Sequence, residues 1–428
     1  MIHANSRRRF IQSAGAASVM AGTAQLAQAT PARLGGADHC IMIWLGGGMA
    51  QIDTFDPKAK GDPAADKAGS YYSSIETAVS GVQVCEHLKR TAAQMERVTV
   101  LRTVQHDVVD EHAAATNRMH TGRDTSGTVQ YPSLGSIVAH ERGAAKDGVP
   151  AYFLIGYPNV TRGPGFLGQK AGFVYLTDVE TGPAGLARPA DITMGRQQRR
   201  ERLLATVRAS GRSNYASDKW FRQYDTAVQE NLRLSSPDFM SVFDLQSEAD
   251  ARRNEYGEGL GQRLLLARRL CEQGTRFVEV SHNMNFRNGT GWDTHKDGQL
   301  QQHFLIQELD QGLSALMQDL ESRRMLDRTL IVINTEFGRP AQFDAGGGRG
   351  HYSDCFSVVL AGGGLNHTGA YGISDDLAMK PVMDPLTVPD VFATILATMQ
   401  IDPALNLYDG NRPVPATDRG KSIELLLN

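Results

Sequence analysis

The chain reads as an α/β protein built on a mostly parallel sheet, and three observations predict it. Short apolar runs recur along its length: CIMIWL (40–45), VTVLRTV (98–104), RFVEV (276–280) and LIVIN (330–334). Runs of this kind suit strands buried on both faces. A long amphipathic helix stands directly before LIVIN, which makes half of a β-α-β unit. Each run is followed by glycines, acids or histidines, where an open α/β sheet binds ligands, beyond the carboxyl ends of its strands.

The elements follow in order. CIMIWL ends at Gly46–Gly48, a triplet that permits a tight turn and close backbone approach. Residues 57–80 read as loop, and a helix is expected near 86–95, before the strand at 98–104. The Ala-rich segment 111–120 is helix-prone, and Tyr131-Pro132-Ser133 opens another helix through LGSIVAHER. AYFLIG (151–156) is the next strand, and the Gly- and Pro-rich stretch 157–190 reads as an irregular excursion. From about 195 to 273 the chain is mainly polar and helical, with an apolar face in GQRLLLARRLCEQG that ends at Gly274. The clearest helix follows His295, where Leu300, Phe304, Leu305, Leu309, Leu313, Leu316, Met317 and Leu320 recur at helical spacing. Arg323 and Arg324 suit its negative end. CFSVVLAGGG (355–364) is a strand ending in glycines, and TVPDVFATILATMQI (387–401) is a helix with Pro389 in its first turn.

Residues 1–29 are set apart as a twin-arginine signal peptide. Ser6-Arg7-Arg8-Arg9-Phe10-Ile11-Gln12 carries the paired arginines, a weakly apolar stretch follows, and Ala27-Gln28-Ala29 offers a cleavage site before Thr30. The remainder, 30–428, is read as one domain that passes the twin-arginine translocase and reaches the periplasm or the medium. No later segment has the roughly 20 apolar residues of a transmembrane helix, and the residue directly after the cleavage site is Thr30 rather than a cysteine, so no stable membrane anchor is expected. A hydrophobic content of 41% allows a sizeable core, and a net charge of −3 gives no pointer to nucleic acid. The four cysteines, Cys40, Cys85, Cys271 and Cys355, form no C-x-x-C pair and read as buried thiols. The arginine-rich turns at 196–202 read as a solvated helix face.

The chemistry-bearing residues lie beyond the apolar runs. Asp53 and Asp56 follow the first, His106 and His112 the second, Asp293 and His295 the third, and Glu336 the fourth, with His351 after it. Asp53, His112, Asp293, His295, Glu336 and His351 form the candidate ligand set. Asp56, ahead of Pro57, reads as structural, and His106, His120 and His282 read as structural histidines. A mixed Asp/Glu/His set suits zinc or manganese, in one or two ions, whereas all-oxygen ligands would suit calcium or magnesium. Two ions about 4 Å apart can clamp the attacking and leaving oxygens of a phosphoryl or sulfuryl transfer, and a bound ion lowers the pKa of water to about 7. Arg339 or Arg349 is a candidate bidentate partner for an anionic substrate. His112 at a helix start is expected to be a neutral ligand or an acid–base group, because the positive helix end disfavours its charge.

The segments LGGGMAQIDTFDPK, YPSLGSIVAHERG, GPGFLG, ARRLCEQGTRFVEV, GWDTH, DRTLIVINTEFGR, GRGHY, LAGGG and DGNRP resemble the DUF1501 family of exported proteins, within the alkaline phosphatase and sulfatase superfamily. The resemblance spans residues 40–420. It implies an alkaline phosphatase-like three-layer α/β/α sandwich with a helical excursion. Glu336 stands where superfamily members place a metal-binding Asp, and His351 matches a later metal-binding His. Asp293 and His295 look like the Asp and His of the other metal. Phe337 replaces a usual His, and Gly47 falls where an Asp is usual, so Asp53 is expected to supply that carboxylate. His112 falls at the position of the nucleophilic Ser of alkaline phosphatases.

The resemblance therefore implies an exported metal-dependent hydrolase of phosphate or sulfate esters, on a carbohydrate or other polymer, that works through metal-activated water with His112 and Arg339 in catalytic roles. Two alternatives stand beside it. One is a non-catalytic envelope protein of the same fold that acts in secretion or assembly with an exported partner. The other is a transferase on the same fold.

Overall fold

Alternation along the first strand sets the layers. In the computed structural model, β1 (His39–Trp44) is buried throughout. Ile41 and Ile43 join one apolar cluster, while Cys40, Met42 and Trp44 join another on the opposite face, as the two-residue period of a strand requires. The structure describes residues 34–427 except 181, 184–190, 219, 223, 226–227, 229–233, 284–289 and 297. The expected export segment, with Arg7, Arg8 and the cleavage site, lies outside the described residues.

Among the described residues the sheet has nine strands. Besides β1 these are β2 (Val98–Gln105), β3 (Tyr152–Ile155), β4 (Val174–Leu176), β5 (Phe277–Ser281), β6 (Thr329–Asn334), β7 (Phe356–Gly362), β8 (Gly369–Tyr371) and β9 (Leu386–Thr387). Their order is β8-β2-β7-β6-β1-β5-β3-β4, with β9 also paired to β2. All neighbours are parallel except β7, which runs antiparallel to both β6 and β2. The helices are α1 (His112–Thr121), α2 (Leu134–Arg142), α3 (Met194–Asn214), α4 (Asp250–Tyr256), α5 (Leu260–Gln273), α6 (Gly298–Ser322) and α7 (Val388–Thr398). Side chains of α5 and α6 pack on the Ile41 face, and those of α1, α2 and α7 on the Met42 face. The result is the expected three-layer α/β/α sandwich.

Local signals explain most boundaries. Glu111 caps α1 by accepting from the Ala113 and Ala114 amides, and Gly122 ends it in the left-handed region. Ser133 caps α2, and Thr387 with Asp390 forms a capping box on α7. On α6, Ile306, Leu309, Leu313, Leu316, Met317 and Leu320 are buried, and full burial of each such side chain stabilises by about 1.5–3 kcal/mol. The expected apolar stripe does not hold at the start of α6, where Leu300 and Phe304 are 56% and 60% exposed. The helix expected over 86–95 shrinks to one turn, Lys89–Ala92, followed by a 3-10 turn at Met95–Arg97. Neither Leu88 nor Gln94 caps its piece with its own side chain; instead Asp310 of α6 accepts the Arg90 and Thr91 amides at 2.9 and 2.7 Å, so a tertiary contact fixes the start of this stretch.

The four cysteines are free and buried. Arg196, Arg199, Arg200 and Arg202 are exposed on α3. Among the described residues no helix is long and apolar enough to cross a membrane.

Candidate metal centre

Strand direction gathers the chemistry at one edge. β1, β2, β5 and β6 run the same way, so their carboxyl ends lie together, and antiparallel β7 begins at that same edge. β2 leads to His112 at the first position of α1; the segment after β5 carries Asp293 and His295; Glu336 follows β6. His351 arrives from the other direction, shortly before β7 starts.

Asp293 is the hub of the cluster. Its Oδ1 accepts from Arg339 Nη2 at 2.6 Å and lies 3.0 Å from His295 Nε2 and 3.4 Å from His351 Nε2. Its Oδ2 lies 3.5 Å from His112 Nε2. The Nε2 atoms of His295 and His351 face each other at 3.1 Å. In a hydrogen bond between them one of the two nitrogens donates and the other presents its lone pair. Among the described residues, one donor atom each from His112, Asp293 and His351 lie within 4.8 Å of one another.

Glu336 stands behind this group. Its Oε1 accepts the Gly47 amide at 2.7 Å and meets His112 Nδ1 at 2.7 Å. The Nδ1–H then donates to Glu336, and Nε2 faces Asp293 Oδ2, presenting a lone pair only once the ring has lost its second proton. Metal-binding imidazoles are characteristically braced by a carboxylate in this way. Burial alone lowers the His112 pKa, but the contacts with Asp293 and Glu336 outweigh it and lift the imidazole to about 9. With no ion bound His112 is therefore cationic at neutral pH, contrary to the neutral state expected from its helix-start position. Two facing carboxylates exceed the effect of one helix end.

Gly47 makes the close approach possible. Its φ is +118°, and a Cβ there would sit 2.4 Å from the Asp293 amide nitrogen. Gly47→Ala is therefore expected to cost at least about 2 kcal/mol in strain and displaced backbone. Urea unfolding together with a zinc titration checks this, and an alanine variant with wild-type stability and zinc affinity would refute it. Phe337 closes the inner side of the cluster, its ring centred 4.9 Å from His112 and 4.6 Å from His351.

Two expected residues are placed differently. Asp53 is held in a two-point ion pair with Arg349 (Nε–Oδ2 2.8 Å, Nη2–Oδ1 3.0 Å) and accepts the Tyr71 amide at 2.7 Å, so both of its oxygens are engaged away from the histidines. Arg339 is fully buried. Besides Asp293 it donates to the carbonyls of Gly47, Gly48 and Arg349, which makes it an internal brace rather than a substrate anchor. His106 contacts the Glu336 carbonyl at 2.7 Å, His282 pairs with Glu308 and Trp292, and His120 lies against Glu279. Asp56 pairs with Lys58 and Arg102.

The structure adds residues that no spacing rule marked. Asp344 lies 3.4 Å from His295 Nδ1. Beside His295 the surface sinks into a depression of about 480 Å³ lined by Lys296, Gln301, Gln302, Phe304 and Leu305. A second, of about 680 Å³, is lined by Asp66, Phe343 and Asp344, and Lys296 borders both. Both are open depressions in the surface rather than enclosed cavities. The start of α6 gave only a faint hint of this wall, Leu300 and Phe304 standing among Gln299, Gln301, Gln302 and His303.

The family described as "Protein of unknown function (DUF1501)" matches residues 37–427. No curated protein matches the chain. Among solved structures, a sulfatase from Pseudoalteromonas sp. is 12% identical with a TM-score of 0.40, covering 92% of this chain and 72% of its own. A phosphonate monoester hydrolase from Silicibacter pomeroyi is 11% identical with a TM-score of 0.40, covering 91% and 76%. An alkaline phosphatase from the Antarctic bacterium TAB5 is 11% identical with a TM-score of 0.41, covering 86% and 100%. These likenesses concern the course of the chain alone.

Proposed function

The chain belongs to the DUF1501 family, and from that premise we propose that it is an exported, metal-dependent hydrolase of phosphate or sulfate esters. One observation carries the reading: His112, Asp293 and His351 converge at the carboxyl edge of the sheet, with Glu336 behind His112 and an open depression beside them. The donor set of imidazoles and carboxylate suits zinc or manganese. A divalent ion held there supplies Lewis acidity to an ester oxygen and acidity to water.

The chain's own groups take the remaining roles. Glu336 fixes the ring orientation and tautomer of His112. Arg339 holds the Asp293 carboxylate in place from inside. His295, whose side chain is 40% exposed, stands at the rim where a proton can pass to a leaving oxygen. Exposed Lys296 places a positive charge between the two depressions, where an anionic ester or a longer sugar-borne substrate would lie. The export part of the reading rests on the Arg7-Arg8 pattern.

The test is metal analysis of the protein purified without chelator, followed by a screen of phosphate and sulfate monoesters. A His112→Asn/His351→Ala variant, which leaves the buried Asp293–Arg339 pair intact, is expected to lose both metal and turnover while keeping its circular dichroism. Glu336→Gln is expected to weaken metal binding by about 10- to 100-fold, the usual effect of removing a carboxylate behind a ligating histidine. A metal-free protein whose stability ignores chelator would overturn the reading. One observation favours the non-catalytic alternative, an envelope protein working with an exported partner: α1 begins with His112 followed by Ala113, so no hydroxyl nucleophile opens the helix. Bound metal with no ester turnover would support that alternative.

A further inference from the structure

We infer that the centre is built for a single divalent ion, with Arg339 and Arg349 serving as fixed cations at two of the carboxylates that a second ion would need. The inference rests on the metal-dependent reading above and specifies it.

Three buried carboxylates lie near the sheet edge behind the histidines, Asp53, Asp293 and Glu336; Asp344 and Asp110 face the outer Nδ1 atoms of His295 and His351 from the solvent side. Asp53 gives both oxygens to the Arg349 guanidinium. Asp293 gives Oδ1 to Arg339 at 2.6 Å. Both guanidiniums are fully buried, and guanidinium keeps its charge under all ordinary conditions. Neither can swing away. Arg349 also donates to the carbonyls of Pro340, Ala341 and Gly69, and Arg339 to those of Gly47, Gly48 and Arg349. Phe343 lies against Arg349 at 4.0 Å, and Phe337 against Arg339 at 5.9 Å.

The third carboxylate is committed at one oxygen, its Oε2 accepting only from the Thr335 hydroxyl at 3.3 Å. Glu336 Oε1 takes the Gly47 amide and His112 Nδ1. The donors gathered for an ion are Asp293 Oδ2, the imidazoles of His112 and His351, and His295 at the rim. That is a three- or four-donor set for one ion. A pair of ions about 4 Å apart needs a second carboxylate-rich shell, and Phe337 fills the inner side of the cluster with an apolar ring. An ion displacing Arg339 from Asp293 would strand a buried guanidinium, which is strongly unfavourable.

The experiment is zinc loading of the full chain, removal of loosely held ion by gel filtration, and measurement of zinc per protein by mass spectrometry. A manganese-loaded sample is read by electron paramagnetic resonance. About one equivalent per chain and an uncoupled single-ion manganese spectrum are expected. The equivalent should be lost in both His351→Ala and His112→Asn, each checked for folding by circular dichroism. Two equivalents, or an exchange-coupled manganese pair, would overturn the single-ion inference and leave the metal-dependent reading standing. One equivalent that survives both histidine variants would place the ion elsewhere and overturn the inference. No bound ion would overturn the metal-dependent reading itself, and the inference with it. The wild-type ratio is decisive even if a variant fails to fold.

Discussion

Replacing Glu279 with alanine is expected to destabilise the protein by about 3–5 kcal/mol, the usual cost of removing one partner of a buried ion pair. Glu279 sits on β5 and is fully buried. Its carboxylate accepts from Tyr152 Oη at 2.9 Å, lies 3.1 Å from His120 Nε2, and pairs with Arg162 Nε. Burial alone would raise the Glu279 pKa, but Arg162 and His120 outweigh it and hold the carboxyl at about 2. A lowered carboxyl pKa contributes stability above its unfolded value near 4.5, and that contribution is lost as pH falls toward 2. Wild type should therefore lose stability over that acid interval, and Glu279→Ala should lose less.

The alanine variant strands the Arg162 guanidinium, so removing both charges should be milder than removing one. Glu279→Leu/Arg162→Met is expected to be more stable than Glu279→Ala in urea unfolding. The reverse order would show that the pair is not what holds this layer. The variant also reports on the centre. His120 and His112 lie two turns apart on α1, so loosening His120 from β5 should weaken zinc binding at His112 without touching any ligand.

The sheet was legible in the sequence because its strands are short, mostly apolar and bounded by turn residues, as CIMIWL and LIVIN are. The direction of a strand is not written in its residues. CFSVVLAGGG reads like the others, yet β7 runs antiparallel, and this is why His351 reaches the carboxyl edge from in front of its strand rather than behind one. Asp293, His295 and His351 could be named because each is an acid or imidazole in a glycine-flanked segment beside a strand. The fate of Asp53 could not. An acid after a strand looks the same whether it faces an ion or an arginine almost 300 residues away, and only the folded chain brings Arg349 to it. Arg339 was misleading for the converse reason, since a guanidinium aimed at substrate and one buried on backbone carbonyls share the same letters. The depressions flanking Lys296 had one faint signal, the exposed Phe304, hidden within a pattern that elsewhere on α6 marks the core.

The affinity of the centre for zinc is expected to rise about tenfold for each step of one in pH from 6.5 up to about 9, and to level off above that, because binding must expel one proton from His112. The sign follows from the charges around the ring. In the ion-free protein the Asp293 and Glu336 carboxylates overcome burial and hold His112 protonated up to about 9. A raised histidine pKa contributes stability below the unfolded value of 6.5, and that contribution is lost as pH climbs through 9. Ion-free protein should then weaken across this interval by about 2 kcal/mol, less than full proton linkage gives, because solvent at the rim screens part of the attraction. Zinc-loaded protein should not weaken. The ion replaces the proton as the positive charge between the two acids, so the loaded centre loses nothing when protons become scarce. Calorimetric zinc titrations at several pH values, with urea unfolding of chelated and loaded samples, test both halves. His112→Asn should flatten both curves. A zinc affinity independent of pH between 6.5 and 9 would mean that the ion expels no proton from His112, and would leave Asp293 and His351 to hold it without their third donor.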